Sequence, residues 1–135
     1  GTTHLGTVFH YSEAGWAQQT TPTNPGSNSQ SLESVWGSSP TDVWAGTGEA
    51  QIGGAGVLLH YDGTSWTVHS QPATGRVQGI WGASGSDVFA VMSTEGTIIR
   101  YDGATWNFSV KGVTFYDVWG PSATDVFAAD LGSSL

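Results

Sequence analysis

The side chains that could do chemistry in this sequence are few, and most recur at fixed spacing. Histidines stand at positions 4, 10, 60 and 69. Asp42, Asp87 and Asp125 each follow a Trp by six residues, and Ser39, Ser84 and Ser122 stand three residues before them. Carboxylates, hydroxyls and carbonyls gathered at such a corner could bind calcium, but one carboxylate per corner is too few for a strong site. Short Ser and Asp side chains readily bond backbone N–H groups in turns, so the corner reads as structural. His10 and His60 share one position of a repeated stretch, where the third copy has Arg100. A catalytic His would not be duplicated and then replaced by Arg, so these read as exposed strand residues. His4 and His69 are isolated. Ser-His-Asp order, HExxH, P-loop and paired-carboxylate motifs are absent, and without Cys neither a disulfide nor a thiolate metal site can form. Neither an enzyme nor a cofactor is expected.

The elements that position these residues follow from two alternating motifs. WGSSPTDVW, WGASGSDVF and WGPSATDVF begin at Trp36, Trp81 and Trp119. HYSEAGW, HYDGTSW and RYDGATW begin at His10, His60 and Arg100, and each places Tyr five residues before Trp. Three copies of each in 135 residues give a unit of 45. A complete unit holds four strand-like runs, here LESVWG, DVWAG, GVLLHY and SWTVHS, separated by Gly, Ser, Pro and Asp-Gly turn signals. Tyr61-Asp62-Gly63 and Tyr101-Asp102-Gly103 read as tight hairpin turns, and Tyr11-Ser12-Glu13 as a looser one. The repeated Trp residues read chiefly as packing between sheets rather than as platforms for sugar rings.

Four short antiparallel strands per unit of this length make the blade of a β-propeller. The pattern of Trp-Gly, Asp-Val-Trp/Phe-Ala and Tyr-Asp-Gly-x-x-Trp resembles a bacterial β-propeller repeat from about Thr7 to about Asp130. It differs from WD40 repeats, which carry Gly-His and Trp-Asp, and from the Asp-box. Residues 32–70 and 77–110 form complete blades. Residues 115–130 supply only the first two strands of a blade, and residues 1–20 supply the last two. The expected fold is all-β, with three four-stranded blades per chain. Since three blades cannot close a propeller, the expected partner is a second copy, giving a six-bladed homodimeric ring with two composite blades.

Three Lys or Arg against eleven Asp or Glu, a formal charge of -8, repel phosphate backbones and anionic membrane surfaces. Nucleic-acid and membrane partners are therefore not expected. No apolar run is long enough to span a bilayer, and no signal-peptide pattern is present. A first residue of Gly rather than Met points to a processed, truncated or engineered chain; the composition suits a secreted or cell-surface setting. The motif spacings are constant on one face of the blades. On the other face they vary: 20, 15 and 13 residues from Trp to Trp, and 19 and 14 from Asp to Tyr. Variable loops on a rigid scaffold carry binding. There Asn24, Asn28, Gln30, Glu49, Gln51, Arg76 and Glu95 suit a hydroxyl-rich ligand such as a glycan. The functional expectation is a non-catalytic, lectin-like binding module. The alternative is a structural or protein-interaction propeller, as a segment of a longer one or a self-assembling repeat unit without small-molecule ligand.

Overall fold

The computed structural model describes residues 2–25, 30–49, 55–70, 75–93, 96–130 and 132. Among these there are strands and turns but no helix. Two four-stranded antiparallel sheets form the middle of the chain. The first joins β5 (Leu32–Ser39), β6 (Asp42–Thr47), β7 (Leu58–Tyr61) and β8 (Trp66–Ser70) in sequence order. The second joins β9 (Val77–Ser84), β10 (Asp87–Met92), β11 (Thr97–Tyr101) and β12 (Trp106–Lys111) in the same way. A two-stranded hairpin lies at each end. One is β2 (Val8–Ser12) with β3 (Gly15–Gln19), the other β13 (Phe115–Ser122) with β14 (Asp125–Asp130). The sheets are compatible with propeller blades.

A short ribbon of β1 (Thr2–His4) and β4 (Thr23–Pro25) was not anticipated. It brackets the first hairpin and places Leu5 in the core at 1% exposure. Pro and Asn in Thr23–Pro25 read as loop, yet a three-residue ladder forms because its partner strand supplies the hydrogen bonds.

The turns explain the registers. Asp62 Oδ1 accepts the Thr64 and Ser65 N–H groups at 2.8 and 2.9 Å, and Gly63 takes a φ of 93° that other residues rarely adopt. Asp102 repeats this with Ala104 and Thr105 at 2.9 and 2.8 Å. These bonds hold both aspartate carboxyls below their usual range. In the first hairpin Ser12 Oγ substitutes, accepting the Ala14 N–H at a longer 3.3 Å.

The core lies between sheets. Trp44 and Leu58 of the first sheet meet Val77, Ile80, Val88, Ala90, Met92 and Ile99 of the second. Val91 of the second meets Phe115 and Val118 of the last hairpin. Leu5, Ala45, Val57, Leu59 and Trp66 close a third cluster, with Val8 of the first hairpin at its margin. A Cβ added at Gly82 would lie 2.5 Å from Trp36 Cη2, and one at Gly120 would lie 3.2 Å from Trp81 Cη2. Trp36 and Trp81 therefore each seat their ring on the glycine of the next Trp-Gly pair along the chain.

Candidate functional site

The corner aspartates have a role that their sequence did not suggest. Ser39 Oγ accepts the Thr41 N–H at 3.3 Å, as expected of a turn. Asp42 leaves the turn and meets His60 Nε2 at 2.6 Å on β7, while its other oxygen accepts the Ser38 hydroxyl. Asp87 receives a bidentate bond from Arg100 on β11, at 2.7 and 2.9 Å. That carboxylate raises the Arg100 pKa further. The second strand of each full sheet is thus tied to the third by an acid–base pair. In both sheets the basic residue stands opposite the aromatic one two positions after the Asp: His60 opposite Trp44, Arg100 opposite Phe89. His60 is half-buried rather than exposed, because Trp44 covers its ring at 4.4 Å.

Ser38, Asp42 and His60 bring together the three residue types of an acyl-transfer triad in another order. Hydroxyl and imidazole both bond the carboxylate, whereas nucleophile activation needs the hydroxyl on the imidazole. Among the described residues, no three His, Asp or Glu side chains cluster to hold a metal ion.

A second recurring unit is aromatic. Trp44 sits against Tyr101 and Trp106 of the next sheet, at 5.0 and 5.2 Å between centroids, with His69 edge-on at 4.7 Å. The matching contact one sheet earlier joins Trp66 to the first hairpin, where Trp66 Nε1 donates to Gln19 Oε1 at 2.7 Å. His69 occupies the position equivalent to Gln19, and there Trp106 Nε1 is buried without a partner.

Both units are interrupted at the ends. Among the described residues, the large apolar side chains more than half exposed are Phe9, Tyr11, Trp16, Val35, Phe108, Tyr116, Trp119 and Phe127. All but Val35 and Phe108 lie on the two hairpins. Their equivalents inside the full sheets are covered: Leu59 and Ile99 for Phe9, Tyr61 and Tyr101 for Tyr11, Trp66 and Trp106 for Trp16. Trp44 is 1% exposed where Phe127 is 63%. Val35 is 66% exposed, although the equivalent Ile80 and Val118 are buried by the preceding sheet. An open groove of about 290 Å³ between β2 and β5 is lined by Val8, Phe9, Val35 and Ala45. It opens beside the edge of β2 that pairs with no strand. The outer edge of β14 is unpaired in the same way, so the half-sheets are the candidate functional site.

The variable-face residues fall in different settings. Asn28, Gln51 and Glu95 lie outside the described residues. Asn24 is in β4 opposite Thr3, and its side chain is likewise outside them. Gln30 is 2% exposed, and its amide Nε2 donates to the Gly48 and Ala55 carbonyls, each at 3.0 Å. It ties a loop together from inside, with Oε1 buried and unpartnered. Glu49 is half-buried. Arg76 is exposed, with its guanidinium 3.8 Å from Glu33. Of the seven, only Glu49 and Arg76 offer described side chains near the surface. The acid–base pairing went unread in the sequence. Its signal was a basic residue, His10, His60 or Arg100, just before every repeated Tyr. Comparisons with protein-family models, curated proteins and solved structures give no significant match.

Proposed function

We propose that this chain is a non-catalytic protein-interaction module, a β-propeller segment that binds by strand addition at its two half-sheets. The observation that carries the reading is the exposure of Phe9, Tyr11, Trp16, Trp119 and Phe127 at positions covered in the full sheets. An aromatic side chain buries about 150–250 Å², so five rings roughly three-fifths exposed leave on the order of 450–750 Å² of apolar surface. Covering it is worth roughly 11–19 kcal/mol gross at about 25 cal/mol per Å². Association costs about 4–15 kcal/mol, so that burial, joined by two new strand ladders, is of the size needed to offset it. The open edges of β2 and β14 supply the ladders. Amide hydrogen exchange tests this: the edge amides of β2 and β14 should be protected in the working assembly. Free exchange there, in a protein that stays soluble and monodisperse, would end the reading.

A polar ligand such as a glycan on the variable face is a second reading. Arg76 favours it, as a cation whose side chain stays 51% exposed beside Glu33. A glycan array silent at high protein concentration would remove it.

A further inference from the structure

Resting on the strand-addition reading, we propose that a second copy of this chain fills both half-sheets, with Asp125 of one copy bonded to His10 of the other. The ladder that would join β14 to β2 is dictated by the two complete sheets. There Val43 and Val88 stand opposite Tyr61 and Tyr101, Trp44 and Phe89 opposite His60 and Arg100, and Ala45 and Ala90 opposite Leu59 and Ile99. Transposed to the open edges, Val126 meets Tyr11, Phe127 meets His10 and Ala128 meets Phe9. This register brings an acid to a base, as it does within each sheet: Asp42 with His60, Asp87 with Arg100, Asp125 with His10. Neither Asp125 nor His10 has an ion-pair partner among the described residues. One chain therefore holds both halves of the pairing, on edges that do not meet in its own sheets.

The faces match as well as the edges. Trp36 and Trp81 each seat on the glycine of the following sheet. Trp119, 60% exposed, has Gly37 of a second copy as the corresponding seat. Val35, which lacks the preceding sheet that covers Ile80 and Val118, receives the incoming β13–β14 hairpin in the groove beside β2. Phe89 in turn takes the position over Tyr11 and Trp16 of the second copy that Trp44 takes over Tyr101 and Trp106. Each copy contributes two full sheets and two halves, so two copies make six blades, within the usual four to eight, and three would make nine. The same head-to-tail contact, used twice, closes a two-fold ring.

The test uses the full chain in light scattering coupled to size exclusion, with hydrogen exchange on the same samples. The expected particle is twice 14.1 kDa, with β2 and β14 edges protected. His10→Asp and Asp125→Arg should each raise the dimer dissociation constant at least tenfold. The double variant, with the charges exchanged, should recover to within about threefold of the parent. Both residues are exposed, so circular dichroism should show the single variants folded. A trimer, or a dimer indifferent to both substitutions, overturns the proposal. So does a monomer whose β2 edge becomes protected only when a separate peptide spanning residues 115–130 is added. That last outcome keeps the strand-addition reading and rejects the second copy, whereas edges that nothing protects reject both.

Discussion

Replacing Gly82 with Ala probes the contact on which successive sheets are stacked. The new methyl would lie 2.5, 2.8 and 2.9 Å from three carbons of the Trp36 six-membered ring, well inside van der Waals contact. A flat ring held between strands cannot fold aside as a flexible chain end could. Overpacking of this kind costs about 1–3 kcal/mol. Against it stands a gain of about 0.4–1 kcal/mol from the less flexible unfolded chain. The net expectation is a loss of about 1–2 kcal/mol, or roughly 3–10 °C in melting temperature for a domain of this size. The assay is denaturant unfolding of the parent, Gly82→Ala, Trp36→Ala and the double variant at one protein concentration. With the ring removed the methyl has room, so Gly82→Ala should be neutral or slightly stabilising in the Trp36→Ala background. An equal cost in both backgrounds would refute the ring-on-glycine contact as the source of the strain.

Trp44→Ala should cost about 3–5 kcal/mol in unfolding experiments, since it empties the most crowded aromatic contact between the two full sheets. His69, though exposed at the surface, is driven toward its neutral form by partial desolvation where its ring meets Trp44 and, secondly, by the neighbouring His60. Its folded pKa lies below the unfolded 6.5, so the unfolded chain binds more protons and stability should fall as pH drops below about 6.5. His69→Gln should flatten that slope between pH 7.5 and 5 and offer Trp106 Nε1 the acceptor that Gln19 gives Trp66. Gly63→Ala should destabilise by about 1–3 kcal/mol, because a positive φ is combined with a methyl 2.7 Å from Thr41 Cγ2. Gly15→Ala shares the positive φ without the clash and should cost less in the same thermal melts.

Much of the fold was legible because it is written several times. The runs LESVWG, DVWAG, GVLLHY and SWTVHS emerge as β5 to β8, and the Tyr-Asp-Gly turns close with Asp on backbone amides as their chemistry suggests. What repetition hides is direction. A period locates Asp42 but not whether its carboxylate turns back to the loop or across to β7, and that choice depends on the base that the next hairpin brings opposite. Gln30 illustrates a second limit. An amide in a polar loop looks like ligand chemistry, yet two backbone carbonyls without ladder partners claim it first. The β1–β4 ribbon has no signature of its own, being three residues long with Pro25 in it. Whether an aromatic residue is covered depends on a neighbouring sheet, so Trp16 and Trp66, alike in sequence, end at 71% and 6% exposure.

The Trp-Gly contacts reach forward along the chain, Trp36 to Gly82 and Trp81 to Gly120. The stack therefore has a polarity, like a row of cups each nested in the next. In the proposed assembly growth is vectorial: a tail accepts only a head. Whether growth ends after two copies, after three, or winds on as a filament is then decided by a few degrees of rotation at each nesting step. The Trp-Gly contact lies at each nesting step, so in the proposed assembly it bears on stoichiometry as well as on the core.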